Sequence, residues 1–185
     1  YGQWCEDTVA MPCAYAEDVF FDGQPLVRAA TRDAVVAGTF FTDYSTRSVY
    51  IGSNPAGHRV EIGTTSAAIR VGVNDVTIEG LTVEMFAQYP DRGAIEANPG
   101  TSNTVIQNCE SRFNHGAGIF SVGAKTKLLY NRLHDNGQLG ASLSRNDGAI
   151  IDHNDFIHNN IAGFWRIDGA AGGIKFCLET NTTVS

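Results

Sequence analysis

The chain is poor in charge. Asp, Glu, Lys and Arg together make up 18% of its 185 residues, and the 13 Lys and Arg are scattered without a basic run. Binding a phosphate backbone needs a positive face. With a formal net charge of −7, the sequence argues against a nucleic-acid partner. No stretch reaches the roughly 20 consecutive apolar residues that cross a bilayer, so no transmembrane helix is expected. From residue 58 onward no segment keeps a helical apolar period over several turns, which excludes a helical bundle. A phosphate-binding Gly-rich loop, a nucleophile elbow, an HExxH pair and a CxxC pair are all missing. The chain opens at Tyr1 with neither an initiator Met nor a signal-like apolar block, as expected of a processed product.

Glycine is abundant, with 20 residues, asparagine is plentiful, and apolar residues make up 43%. Gly and Asn accept positive φ cheaply, so this mixture suits short strands joined by tight turns around a real core. There are four cysteines. Cys5 and Cys13 flank a loop containing Met11-Pro12, and we read them as a local disulfide. Metal binding is the alternative, without a CxxC pair or a nearby His to support it. Asn181-Thr182-Thr183 matches a glycosylation acceptor. Together these features lean toward an extracellular or cell-surface setting.

The decisive feature is internal repetition. Val105-Ile106-Gln107-Asn108-Cys109 aligns with Lys127-Leu128-Leu129-Tyr130-Asn131 and then with Ile150-Ile151-Asp152-His153-Asn154. The anchors Ile106, Leu128 and Ile151 are 22 and 23 residues apart by subtraction. Carried forward, the register puts Asn114, Asn136 and Asn159 in one column, Gly118, Gly140 and Gly163 in another, and Ser111, Leu133 and Phe156 in a third. About 22 residues closed by three bends is one coil of a parallel β-helix, and each coil buries its inward side chains only against its neighbours. Asn in a recurring bend column can build a side-chain amide ladder. An earlier coil over residues 74–96 aligns Gly80 with Asn108 and Gly93 with Gly118, with an insertion near Tyr89-Pro90-Asp91-Arg92. A second insertion spans residues 164–172. No end cap is visible after Ser185, so further coils and self-association through open solenoid ends are expected.

Residues 1–63 do not repeat. Val19–Phe21, Thr39–Asp43 and Ser48–Ile51 read as antiparallel strands, with turns at Asp22-Gly23 and Asn54-Pro55-Ala56-Gly57 and a short helical turn within residues 29–36. The expected organisation is a small antiparallel β subdomain or cap over 1–63, followed by an all-β, right-handed, single-stranded parallel β-helix over 64–185.

The segments Asn131-Arg132-Leu133-His134-Asp135-Asn136-Gly137-Gln138-Leu139-Gly140 and Asn114-His115-Gly116-Ala117-Gly118-Ile119 resemble bacterial right-handed β-helix repeat proteins of the pectate-lyase-like superfamily. Gly38-Thr39-Phe40-Phe41-Thr42-Asp43-Tyr44, with Val49-Tyr50-Ile51-Gly52, resembles the small β insert that precedes the solenoid in some of them. The superfamily contains polysaccharide lyases, glycoside hydrolases, epimerases, phage tailspikes and adhesins, and a shared fold does not choose among them. Asn114-His115-Gly116 is only a partial echo of the Gly-His-Gly segment of polygalacturonase-type hydrolases, and neither Asp-Asp nor Arg-x-Lys occurs. The resemblance implies an extracellular protein acting on a polysaccharide or cell-surface glycan, by hydrolysis or lyase-type elimination. A non-catalytic adhesive or filament-forming solenoid is the competing expectation.

On such a solenoid, function sits on the outer face of one strand column and in loops inserted beside it. The register places Glu96, Phe120, Ser142 and Lys175 on one face, with Ile95, Ile119 and Ile174 as inward neighbours. The expected groove is lined by Asp91, Arg92, Glu96, Trp165, Arg166, Asp168 and Lys175. Asp168, Glu96 and Asp91 are the candidate acids or bases, and Trp165, Arg166, Lys175 and Arg92 the candidate substrate contacts. Structural readings stand beside these: Trp165 with Phe164 covering the solenoid wall, and Arg166 with Asp168 forming a solvated ion pair. His134, His153 and His158, with Asp135, Asp152 and Asp155, spread over different faces, which disfavours a transition-metal site. Calcium held by oxygen ligands such as Asp147, Asp152 and Asn154 is a further expectation.

Overall fold

The computed structural model describes residues 13–161, 163–168 and 171–185. From Ile69 the chain winds into a parallel β-solenoid of about four turns with three walls. The first wall contains Ile69–Val71, Gly93–Ala97, Ala117–Ser121, Leu139–Ser144 and Gly172–Cys177. The second contains Thr77–Glu79, Val105–Gln107, Lys127–Leu129, Ile150–Asp152 and Thr183–Val184. The third contains Thr82–Glu84, Glu110–Arg112, Arg132–His134 and Asp155–Ile157.

Each coil returns every strand beside its counterpart one turn earlier. Ile78, Ile106, Leu128 and Ile151 therefore pile in one row inside the second wall. Val83, Ser111, Leu133 and Phe156 form a row inside the third. Ile106, Leu128 and Leu133 are completely buried. Burying each such side chain contributes about 1.5–3 kcal/mol. Ser111 is the polar member of its row, and its hydroxyl is met by the Asn114 side-chain amide at 3.0 Å.

Two asparagine ladders close the bends. At the bend after the third wall, Asn114 N–H donates to Asn136 Oδ1 and Asn136 N–H donates to Asn159 Oδ1. The Nδ2 groups of Asn114 and Asn136 donate along the same column at 2.9 and 3.0 Å. At the bend after the second wall, Asn131 and Asn154 repeat the device, and Cys109 heads the column through its backbone N–H. The residues preceding these columns have positive φ: Asn108, Tyr130 and His153 in one, Phe113, Asp135 and His158 in the other. That conformation turns the chain sharply and aims the next amide inward.

The ladder explains the glycine column. A Cβ on Gly118 would lie 2.8 Å from the Gly140 carbonyl oxygen, 3.0 Å from Ser111 Oγ and 3.2 Å from Asn136 Nδ2. Two register expectations are corrected. Gly93 lies level with Ala117, not Gly118. Gly172 pairs with Leu139 and Ile174 with Ala141, so the glycine column continues through Gly173, while Gly163 sits in the insertion. The sequence places the next Gly at the expected spacing, but the chain leaves the wall there and rejoins it later.

In the N-terminal part, Val19–Phe21 pairs antiparallel with Gln24–Pro25 and with Val60–Ile62. Thr39–Asp43 pairs antiparallel with Ser48–Ile51, as expected, and an additional short strand, Val27–Arg28, pairs parallel on its other side. The helical turn is a single 3-10 turn, Arg32–Ala34. Cys5 lies outside the described residues, and Cys13 is buried with its sulfur 3.6 Å from the Phe164 carbonyl oxygen.

Candidate functional site

The outward column of the first wall runs Arg70, Glu96, Phe120, Ser142, Lys175. Glu96 is its centre of charge. Its side chain is only 1% exposed, although it points away from the solenoid interior. Two guanidinium groups cover it. Arg92 Nε and NH2 donate to its two carboxylate oxygens at 2.8 and 2.5 Å, and Arg70 Nε donates at 3.0 Å. Such forked, charge-assisted bonds fix both partners in orientation. Arg92 also lies over the Phe120 ring at 5.2 Å, so one side chain from the inserted loop covers two members of the column. Arg70 and Arg92 remain about half exposed, at 51% and 43%, and present N–H groups to solvent. Arg70 extends the cluster by donating to Ser66 Oγ.

The inserted loop is itself anchored. Asp91 N–H donates to Gln138 Oε1 and Gln138 Nε2 donates back to Asp91 Oδ1. Gln138 is fully buried, so these two bonds tie the inserted loop to the wall through Asp91.

The second insertion divides. Trp165 is 2% exposed and packs with Phe164, Cys13 and Ala171. Its backbone is clamped by the Asn160 side chain at 2.9 and 3.2 Å. Phe164 stacks on His115, with centroids 5.3 Å apart. The expectation that Trp165 offers a ring to a sugar therefore meets a buried ring, and wall covering is what this residue does. Arg166 and Asp168 form an exposed ion pair within their loop at 2.5 and 3.1 Å. Lys175 lies in the same column as Glu96, three strand spacings away, or about 14 Å. The two line one face without sharing a reacting atom.

Sequence reasoning missed Arg70. Its signal was available, since Ile69-Arg70-Val71 aligns with Ile95-Glu96-Ala97 once the first coil is extended one strand earlier. It also missed the charge network on the third wall. There the two ring nitrogens of His134 face Asp135 at 2.6 Å and Glu110 at 2.9 Å. Arg112 adds a hydrogen bond to Glu84 and a contact to Glu110. The hydrogen bond from His134 is the main cause holding the Glu110 carboxyl below its ordinary value, with the charge of Arg112 adding.

No group of three or more His, Cys, Asp or Glu is placed to hold a metal ion among the described residues. The residues expected as calcium ligands have partners within the chain. Asp147 accepts from Thr180 and Asn181, Asp152 from Ser185, and the Asn154 amide donates to backbone carbonyls.

This geometry agrees with the comparison to known families, in which residues 39–184 match the model described as "Right handed beta helix region". The chain belongs to that family. The match covers most of the chain and begins inside the N-terminal sheets, at the first residue of Thr39–Asp43. It fixes the hand of the solenoid as right-handed, the hand that parallel crossover connections ordinarily take. No curated protein and no solved structure matches the chain. No helix among the described residues is long and apolar enough to cross a membrane.

Proposed function

We propose that this right-handed β-helix chain is carbohydrate-active and lays a polysaccharide along the outer face of its first wall. The observation that carries the reading is Glu96, a buried carboxylate clamped between two half-exposed arginines on the outward column, beneath an inserted loop. Five parallel strands give that face a length of about 19 Å at the ordinary strand spacing, which suits an extended polymer better than a compact ligand. Arg92 and Arg70 supply donors to sugar oxygens while Glu96 holds them in place. Asp91, Arg166, Asp168 and Lys175 are assigned to the rim of the same face. The resemblance to pectate-lyase-like repeat proteins supports this reading, and the cysteines Cys5 and Cys13, read as a local disulfide, with the acceptor Asn181-Thr182-Thr183 support an extracellular setting.

Glu96 is the carboxylate we assign to proton transfer in hydrolysis or elimination, with ligand groups displacing an arginine during turnover. One observation favours the second reading, a non-catalytic adhesive or self-associating solenoid: both oxygens of Glu96 already accept from guanidinium groups. A glycan array, followed by reducing-sugar and unsaturated-product assays on any glycan retained, separates the two. Wild type, Arg92→Ala and Glu96→Gln are compared. Binding lost in Arg92→Ala, with product lost in Glu96→Gln, supports the enzyme. Binding without either product supports the non-catalytic solenoid. A chain that retains no glycan overturns the enzyme and leaves only self-association of the second reading.

A further inference from the structure

A cleft of about 480 Å³ opens where the N-terminal sheets meet the first coil. Tyr15, Glu17 and Tyr44 line it from the N-terminal side, and Thr64, Ser66 and Tyr89 from the solenoid side. That volume lies within the roughly 300–1,000 Å³ of ordinary small-ligand sites. Its aromatic content is unusual for an exposed surface. Tyr15, Tyr44 and Tyr89 are 37%, 47% and 63% exposed. Tyr15 and Tyr44 stack on each other with centroids 4.5 Å apart and rings inclined by 22°, so they hold one another rigid.

The polar groups of the cleft are balanced among themselves. Glu17 takes an ion pair from Arg28 at 3.0 Å and a hydrogen bond from the Tyr44 hydroxyl. Arg28 is buried beneath, 8% exposed, between Tyr15 and Phe40. Burial first, then the bond to Glu17, holds the Tyr44 hydroxyl above the usual phenol range, so it stays a donor. No uncompensated cation lines the cleft among the described residues, and an anionic ligand would meet Glu17. What remains is flat ring surface beside hydroxyl and carboxylate acceptors. That combination recognises an uncharged ring with apolar faces and a hydroxyl rim.

We propose that this cleft is a binding site for a neutral sugar unit, separate from the arginine-clamped column and continuous with it. It rests on the polysaccharide reading above. Continuity is structural: Ser66 of the cleft accepts from Arg70, and the Tyr89 carbonyl accepts from the backbone N–H of Arg92. A polymer lying on the first wall therefore reaches the cleft without leaving the surface. The site also gives the N-terminal sheets a role, since neither part of the chain forms it alone.

The test is calorimetric titration of the full chain with cellotetraose, xylotetraose, maltotetraose and tetragalacturonate. The titrations are repeated on Tyr89→Ala, which removes an exposed ring, and on Thr64→Trp, which fills the cleft from an exposed position. Circular dichroism checks that each variant folds. We expect at least one neutral tetrasaccharide to bind and both variants to lose about five- to tenfold in affinity, as for loss of one ring contact. If glycans bind equally to both variants and binding is lost in Arg92→Ala, the cleft is overturned and the wall reading stands. If only tetragalacturonate binds, or a proline-rich peptide binds at Tyr89 in place of sugar, the cleft proposal is also overturned. If no glycan binds at all, it falls together with the polysaccharide reading.

Discussion

Replacing Asn136 by Ala tests the stacking of the coils at one atom group. Asn136 is fully buried. Its Nδ2 donates to the Ser111 carbonyl and to Asn159 Oδ1, both at 3.0 Å. Its Oδ1 accepts from Asn114 Nδ2 at 2.9 Å and from Asn114 N–H at 3.3 Å. Asn136→Ala removes all four bonds. Asn114 Nδ2 retains Ser111 Oγ and the Val83 carbonyl, so it is buffered. The Asn114 backbone N–H is the group left short. A buried donor without a partner costs about 1–3 kcal/mol, and the remaining lost bonds add about 1 kcal/mol each at most. We expect a loss of about 2–4 kcal/mol. Solenoids need not unfold in one step, so the assay is a urea transition read by circular dichroism together with amide hydrogen exchange. The exchange data should place the damage at the bends carrying Asn114 and Asn159. The control is Asn54→Ala, which removes an exposed turn contact to Ala56 N–H and should cost no more than about 0.5 kcal/mol. If Asn136→Ala shifts the midpoint no further than Asn54→Ala, the ladder is not holding the coils.

Gly137→Ala would put a Cβ 2.2 Å from the His115 carbonyl oxygen, a clash with backbone, and is expected to lower the unfolding midpoint sharply where Gly72→Ala, at an exposed position with open space around it, does not. Trp165 Nε1 is buried with no hydrogen-bond partner among the described residues, so Trp165→Phe should cost only the lost ring volume, about 1–3 kcal/mol, and leave glycan binding intact; loss of binding would restore Trp165 as a sugar contact. Glu110 gives a pH dependence with a definite sign. Its folded carboxyl is held below the reference value of 4.5, chiefly by the His134 hydrogen bond, so the folded state resists protonation more than the unfolded chain. The stability this contributes is fully present above about 4.5 and disappears as pH falls through the lowered folded value. Urea midpoints measured on descending pH should fall less steeply for Glu110→Gln than for wild type below that point, and parallel curves would contradict the assignment.

The coils were legible because a solenoid writes its register into the sequence. Ile106, Leu128 and Ile151 repeat at nearly constant spacing because each must fill the same place inside the second wall. The Asn and Gly columns follow from the same geometry, since an inward amide leaves no room for a Cβ opposite Gly118. The register failed where the period breaks. The second insertion begins before residue 164 and lengthens one coil, so Gly163 stands at the expected spacing yet outside the wall. Parts of the candidate site were legible for the same reason. Alternation along Gly93–Ala97 sends Glu96 outward, and the register puts it beside Phe120. Its burial was not, because that depends on Arg92 folding back from a non-repeating loop and on Arg70 from the preceding coil. Trp165 misled for a related reason, since an aromatic residue in an insertion reads alike whether it faces solvent or covers the wall. The tyrosine cleft joins residues far apart in the chain and has no period to reveal it.

The central claim, that polysaccharide lies along the first wall, is tested most directly by hydroxyl-radical footprinting with and without the glycan that the array selects. Tyr89 and Tyr130 are matched reporters, 63% and 57% exposed, the first on the loop over the first wall and the second at the bend between the other two. The account predicts that saturating glycan protects Tyr89 and leaves the oxidation of Tyr130 unchanged. Protection of Tyr130 with Tyr89 unaffected would contradict it.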